Sequence, residues 1–531
     1  MTGQTTSAEL RRAWREGREI ALIDVRDEGP YSERHPFFAV SLPLAELEQS
    51  VLALVPRQSV PVVVYDDGEG LAEKAAHRLT AAGYSDVSVL AGGLTAYGRE
   101  GELFRDVNVP SKAFGELVEA IRHTPSLPAD EILALIDGNT DMVVLDARRF
   151  EEYRNMSIPT GISVPGAELV LRVHDLAPSP ETLVVVNCAG RTRSIIGTQS
   201  LINAGLPNRI VALRNGTIGW TLAGQRLDHG QDRRAGTASE TARHKAAEAA
   251  ARWARHVGVE VIDRATLDRF VDDLKHRTLY RLDVRTPEEY AAGHPDGFRS
   301  APGGQLVQAT DEWIGVRGAR IVLYDDDGVR ARMTASWLRQ MGWDASVIDR
   351  DQLDTHTTGV PQRRRVPPPD PAGAIIGLAE LASGEDFTLV DLARSAVYAR
   401  GHIAGAHFIR ASRFATDLAG LPGNGPIVLI STDGDVARFA RPDAQAATSR
   451  RVLALAGGTE AWLASGRTLS DNDASWVSPP TDVYKRPYEG TDNAGAAMQA
   501  YIDWELQLVA QLANDGVSNF RVARPPVAGH R

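Results

Sequence analysis

Cysteine is almost missing from this chain: 531 residues contain one, Cys188. A single thiol excludes an intramolecular disulfide framework and a cysteine-cluster metal site. Long hydrophobic runs are missing too, and no apolar stretch approaches membrane-spanning length. The opening Met1-Thr2-Gly3-Gln4 runs into Arg11, Arg12 and Arg15 with no apolar core, so no secretory signal is read there. Positive charge is not in excess. The net charge of −11 is spread along the chain, which argues against nucleic acid as a partner and offers a membrane no basic patch. The expected compartment is the cytoplasm, and no cofactor or metal is called for. What remains is the composition of ordinary soluble globular protein, 43% hydrophobic and 24% charged, on a chain long enough for several domains. Forty-eight glycines suit many tight strand-to-helix turns.

The lone cysteine sits in an informative segment. Val184-Val185-Val186-Asn187 is an apolar, β-branched run that reads as a buried parallel strand. Cys188-Ala189-Gly190-Arg191-Thr192-Arg193 follows, and Ser194 to Ala204 is helix-compatible. One thiol therefore stands at a strand-to-helix turn, on a helix N-terminus, between two arginines. Backbone N–H groups and guanidinium charge both favour thiolate there, so the expected thiol pKa is depressed.

Two further motifs flank this loop. Upstream lies Leu145-Asp146-Ala147-Arg148-Arg149-Phe150-Glu151-Glu152-Tyr153, and downstream Leu213-Arg214-Asn215-Gly216-Thr217-Ile218-Gly219-Trp220. Together they resemble the three ordered signatures of the rhodanese sulfurtransferases: Asp-x-Arg with Glu-Tyr, Cys-x-x-x-x-Arg-Ser, and Leu-x-Gly-Gly-x-x-x-Trp. The resemblance implies a small parallel sheet flanked by helices, with the nucleophile loop at a strand's carboxyl end, where open α/β sheets place ligands.

The unit recurs four times, at roughly 110 to 130 residues. Entry motifs stand at Leu22-Ile23-Asp24-Val25-Arg26, at Leu145, at Leu282-Asp283-Val284-Arg285, and at Leu389-Val390-Asp391-Leu392-Ala393-Arg394, the last spaced one residue wider. Loop strands recur as Val62–Tyr65, Val184–Asn187, Ile321–Tyr324 and Ile427–Ile430. The position of Cys188 is taken by Asp66, by Asp325, and by Ser431 or Thr432. Thirteen residues on, the first three copies carry Leu79, Leu201 and Leu338, and four further on Gly83, Gly205 and Gly342, which predicts a helix of common length with a glycine C-cap. The exit motif recurs at Gly92-Gly93 and Gly457-Gly458, and copy three lacks it. The fold class expected is α/β: four tandem rhodanese-like domains, each a small parallel sheet with helices on both faces, plus a C-terminal helical tail.

The boundaries read as domains at 1–112, 113–236, 259–362 and 373–470. A linker helix occupies 237–258, a stiff solvated Arg/Pro spacer 363–372, and a tail with one helix (Ala496 to Leu512) 471–531. Two-domain rhodaneses pair an inactive first domain with an active second. That resemblance implies that copies one and two form the working pair, with residues 1 to about 236 sufficient for activity. Copies three and four then form a second, inactive pair.

The chemistry implied is sulfane sulfur transfer by covalent catalysis. Cys188 attacks the outer sulfur of a small anionic donor, thiosulfate or 3-mercaptopyruvate, and carries a persulfide. With no second thiol in the chain, an external thiol or cyanide must discharge it, a protein thiol being one such acceptor. Arg193 joins Cys188 as catalytic. Ala189, Gly190, Arg191, Thr192 and Ser194 form the donor-binding loop, its N–H groups stabilising sulfur anions and its two arginines favouring a doubly charged donor. Asn187 orients the loop. Asp146 and Arg148 recur in copies without a cysteine, so they read as supports of the fold, and Glu152 and Arg172 are weaker candidates. Three rivals stand beside this reading. A phosphatase or arsenate reductase needs Cys-x5-Arg, whereas here the arginine is the fifth residue after Cys188 and Ser194 the sixth. A sulfur carrier or scaffold would turn over little. A purely structural protein would have no use for one intact loop.

Overall fold

The apolar run before each loop becomes the middle strand of a parallel sheet in all four copies. The computed structural model describes residues 3–353, 356–370, 372–383, 386–486, 488–489 and 491–525. In copy two the sheet order is Ile162–Ser163, Met142–Asp146, Leu183–Asn187, Ile210–Leu213, Ser126–Leu127, all parallel. Every residue of Leu183–Asn187 is buried, which is why the strand reads as a continuous apolar run rather than an alternating one. Copies one and three repeat the five-stranded order, and copy four adds Ser475–Trp476 beside His407–Phe408 as a sixth strand. The loop at the end of the central strand leads into Thr192–Ala204 in copy two, and Gly205 closes that helix in the left-handed conformation.

The copies do not group in sequence order. The chain forms two compact units. One holds Met1–Ser7, Leu22–Val107 and Arg363–Lys485, which is most of copy one with copy four. The other holds Ala8–Ala21, Asn108–Gln362 and Arg486–Arg531, which is copies two and three with the tail. Within its unit, the cysteine-bearing copy is therefore partnered by copy three, where the family analogy implied copy one.

The segment between copies two and three explains this grouping. It is a helix, Glu240–Val257, capped by the Ser239 hydroxyl at its start and by left-handed Gly258 at its end. Its alanine stripe is core rather than spacer. Ala242, Ala246, Ala249, Ala250 and Trp253 pack with Leu169, Val173 and Val186 of copy two and Met333 of copy three. Trp253 Nε1 donates to the Ser336 hydroxyl, and Trp337 Nε1 donates to the Ser200 hydroxyl on the helix Thr192–Ala204.

Three further differences from expectation appear. The Arg/Pro spacer is exposed but held: Arg365 pairs with Asp433 at 2.6 Å and Asp435 at 2.7 Å, and Arg438 donates to the Pro369 carbonyl. The tail carries two helices, Ala494–Glu505 and Leu508–Asp515, where one was expected. Leu506 and Gln507 tighten into a turn that leaves Leu506 exposed while Ile502, Trp504, Leu508 and Leu512 stay buried. Finally, a helix at Val109–Arg122 runs across the 112/113 boundary and packs on the helix Thr192–Ala204, with Gly115 against Thr192. No helix among the described residues is long and apolar enough to cross a membrane.

Candidate active site

Cys188 caps the buried central strand and is itself 1% exposed. Its Sγ lies 3.4 Å from the Ser194 hydroxyl, and the N–H groups of Gly190 and Ser194 point at the sulfur. Ser194 Oγ donates in turn to the Arg191 carbonyl at 2.9 Å, which fixes the first helical turn. The expected depression of the thiol is not what results. Burial pushes the Cys188 thiol up, and the Arg193 charge, the Ser194 hydroxyl and the loop N–H groups oppose that rise.

The loop is held open by the exit motif. Thr217 N–H donates to the Cys188 carbonyl at 2.8 Å, Thr217 Oγ1 donates to the same oxygen at 3.0 Å, and Ile218 N–H donates to the Ala189 carbonyl at 2.9 Å. With these carbonyls tied outward, the loop's N–H groups face the sulfur. Gly216 makes the approach feasible. Its φ is +54°, and a β-carbon there would meet the Cys188 carbonyl at 2.4 Å and the Gly190 carbonyl at 2.6 Å. Copies one and four use the same lock, Leu94 N–H to the Asp66 carbonyl and Thr459 N–H to the Ser431 carbonyl.

The three other loops show what the cradle does without a thiol. Six residues beyond each position, one N–H points inward: Ala72 to the Asp66 carboxylate, Ala331 to the Asp325 carboxylate, Ala437 to the Ser431 hydroxyl. Ser194 N–H is their counterpart toward Cys188. The geometry identifies Ser431, not Thr432, as the fourth member. In copies one and three a carboxyl oxygen sits where the cysteine-bearing copy has sulfur, and burial together with the neighbouring Asp327 pushes the Asp325 carboxyl up.

One buried hydrogen-bond network braces the end of the central strand. Asp146 accepts from the Arg148 guanidinium at 2.9 and 2.7 Å and from Asn187 Nδ2 at 2.9 Å, and Arg148 also donates to the Met156 carbonyl. All three side chains are buried, and Asp24–Arg26 and Asp283–Arg285 repeat the pair in copies one and three. In copy four the wider spacing sends Arg394 to Glu46 instead, and burial without that partner pushes Asp391 up to about 6. Arg172 pairs with Glu168 and the Gly236 carbonyl, away from the loop.

The loop arginines differ most from expectation. Neither presents an open guanidinium to an incoming anion. Arg193 is bound bidentate by Glu152 at 2.7 and 2.9 Å, and its charge holds the Glu152 carboxyl down at about 2. Arg191 is bound bidentate by Glu116 at 2.7 and 2.8 Å, with a third bond to Asn215 Oδ1. Burial pushes Glu116 up while Arg191 resists it. Copy three repeats the first pair as Arg330–Glu289 at 2.5 Å although it has no cysteine. That repetition marks Arg193 as a residue that shapes the loop and carries charge near sulfur. Glu116 was invisible to motif reasoning because it lies on the helix connecting copies one and two. The sequence signal for it is an acidic residue on an amphipathic helix, which many helices share.

The tail closes the site from outside the repeats. Tyr501 and Glu505 lie against Gly190: a β-carbon there would be 3.4 Å from the Glu505 carboxylate and 3.7 Å from the Tyr501 ring. Tyr501 donates its hydroxyl to Glu505 at 3.2 Å, and Lys112 stands over the Tyr501 ring at 5.4 Å.

Comparison with known proteins agrees with this architecture. The rhodanese-like domain model matches residues 6–100, 128–223, 265–351 and 377–465. The chain is 53% identical to a crystal structure of thiosulfate sulfurtransferase from Pseudomonas aeruginosa, covering 98% of this chain and 100% of that one with a TM-score of 0.93. It is also 26% identical over 216 residues to thiosulfate sulfurtransferase of Azotobacter vinelandii, covering 33% of this chain and 79% of that protein. An inward-pointing N–H repeated at four strand ends, one of them facing a thiol, together with four matched segments, places the chain in the rhodanese family of sulfurtransferases.

Proposed function

We propose that the chain is a sulfurtransferase that moves sulfane sulfur from a thiosulfate-like anion, through a Cys188 persulfide, to a thiophilic acceptor. The observation that carries this reading is the single thiol set in an N–H cradle whose counterparts in copies one and three are filled by aspartate side chains. The Cys188 thiolate attacks the outer sulfur of thiosulfate. The S–S bond of the donor breaks, and sulfite leaves with its electron pair. Cyanide carbon, or an acceptor thiolate, then attacks the outer sulfur of the persulfide, and the Cys188 thiolate is released.

The N–H groups of the loop Ala189, Gly190, Arg191, Thr192, Arg193, Ser194 supply fixed donors to the sulfur anions of both steps. Ser194 Oγ accepts from the thiol and donates to the Arg191 carbonyl, and it turns its hydrogen to the sulfur when the thiolate forms. Arg193 supports thiolate and persulfide through its charge while Glu152 holds its position, and Arg191 sets the loop's outer edge through Glu116. Asn187 and Arg148 keep the strand end rigid through Asp146. Copies one, three and four serve as structural partners, since carboxylate or hydroxyl cannot carry sulfane sulfur. A lone thiol without a disulfide partner suits a reducing compartment such as the cytoplasm.

Steady-state release of thiocyanate from thiosulfate and cyanide tests the reading. Multiple turnover is expected from the wild type and none from Cys188→Ser. A persulfide that forms but turns over once only would make the chain a carrier instead.

A further inference from the structure

Beyond sulfur transfer, we infer that an open cavity on the unit holding copies two and three binds a small diphosphate anion between Arg15, Arg339 and Arg521. The cavity has a volume of about 720 Å³ and shares no residue with the Cys188 loop. Small-molecule sites span roughly 300–1,000 Å³. Three stretches far apart in the chain build it: the end of the helix Ser7–Arg15, the end of the helix Arg330–Gln340 with the turn after it, and the tail at 518–521. The tail wall is fixed in place. Arg521 N–H donates to the Gln340 carbonyl at 2.8 Å, Ala523 N–H to Gln340 Oε1 at 2.8 Å, and Asn519 Nδ2 to the Trp14 carbonyl at 3.2 Å.

The charge in this cavity is uncompensated, in a chain whose net charge is −11. Among the described residues, the Arg15 and Arg521 guanidinium groups meet no carboxylate, and the one side-chain bond of Arg339 goes to the Ala345 carbonyl at 3.2 Å. The two acids on the cavity wall are engaged by arginines outside it: Glu16 by Arg18 at 2.8 Å and Asp344 by Arg277 at 2.7 Å. A further guanidinium stands behind the wall. Arg317 is buried 4.0 Å over the Trp343 ring, and its Nη2 would lie 3.4 Å from a β-carbon at Gly342. Arg15 and Arg339 stand in the last turns of their helices, where a cation is stabilising by itself. Arg521 has no helix end to serve. A single sulfate or carboxylate would leave guanidinium charge unmatched. A diphosphate carries several negative charges, and its tetrahedral oxygens accept from several walls at once, whereas the two oxygens of a carboxylate lie in one plane. The cavity admits that group either as free pyrophosphate or as part of a nucleoside diphosphate.

The test is calorimetric titration of pyrophosphate, ADP and citrate into the full-length chain, as wild type, Arg15→Ala, Arg521→Ala and Arg521→Lys. The wild type should bind pyrophosphate or ADP once per chain and more tightly than citrate. Whichever of the two binds tighter identifies the source of the diphosphate, and either result sustains the inference. A lost charge-assisted hydrogen bond corresponds to roughly 10- to 100-fold, so each alanine variant should weaken binding by that factor, and Arg521→Lys should recover part of the loss. Thermal melts give a second readout. The bound anion should raise the melting temperature of the wild type, and the same concentration should raise that of the alanine variants less. Without anion, all four proteins should melt alike and release thiocyanate at the same rate, since none of these residues belongs to the Cys188 loop. No binding to the wild type overturns the inference, as does binding that neither alanine variant weakens, which would put the anion elsewhere. Citrate bound as tightly as pyrophosphate overturns the assignment to a diphosphate. Each of these results leaves the sulfurtransferase reading standing.

Discussion

Gly216→Ala should separate the exit motif's catalytic purpose from its conformational cost. Two left-handed glycines flank the catalytic unit. Gly205, φ +80°, ends the catalytic helix with nothing within 4 Å of a β-carbon, whereas Gly216, φ +54°, faces two loop carbonyls. Alanine at either site loses about 1–2 kcal/mol for the left-handed conformation. At Gly216 more must follow. A carbon placed 2.4 Å from the Cys188 oxygen has to retreat to an ordinary contact of roughly 3.3 Å, so the loop carbonyl moves by about 1 Å. That motion rotates the peptide whose neighbours face the sulfur. A displacement of about 1 Å at reacting groups costs on the order of 100-fold in rate. Gly205→Ala should therefore lower thermal stability and keep kcat/KM within a factor of about 3 of wild type, well short of a charged-group loss. Gly216→Ala should lose more stability than Gly205→Ala, because the clash adds to the conformational cost, and on the order of 100-fold in kcat/KM. Thermal melts and thiocyanate kinetics on the two variants decide it. Equal kinetics would refute the claim that the exit motif aims the loop.

Four further outcomes are expected. Arg191→Ala leaves Glu116 buried without its partner and should cost about 3–5 kcal/mol by urea unfolding, while the double variant with Glu116→Gln recovers most of it. Glu152 is held at about 2, below its ordinary 4.5, so the stability it lends is complete above pH 4.5 and is lost as pH falls toward 2. Glu152→Gln should flatten the acid-unfolding curve across that window, and an unchanged curve would count against the pair. Arg193→Met removes the largest group opposing the rise in the Cys188 thiol, so the pH midpoint of its alkylation should move upward. Residues 1 to about 236 expressed alone should be inactive or unfolded, because the helix Glu240–Val257 and the Trp337–Ser200 contact are lost. A fully active fragment would show that copy two does not need copy three.

Local pattern and long-range packing were unequally legible in the chain. The central strand, the cysteine turn, the catalytic helix and its glycine cap follow from runs and spacings within some 25 residues, and each is found at its expected place. Asp146–Arg148 was readable because repetition in copies lacking cysteine separates support from chemistry. The partners of Arg191 and Arg193 were not. An arginine beside a nucleophile looks like an anion receptor until Glu116, 75 residues away in sequence, is placed against it. The grouping of copy two with copy three was hidden for a related reason. The alanine-rich segment after Ser239 predicts a helix, but the same stripe serves a solvated linker and a buried strut, and only its neighbours distinguish them. The tail's place at Gly190 depends on the tertiary path of the chain, which no local spacing encodes.

The most direct test of the central claim is intact-mass spectrometry of the full chain. After incubation with thiosulfate and removal of excess donor, the wild type should gain one sulfur, roughly 32 Da, and lose it again on adding cyanide. Cys188→Ser should gain nothing. No reversible adduct on the wild type, or an equal one on Cys188→Ser, would contradict sulfur transfer through Cys188.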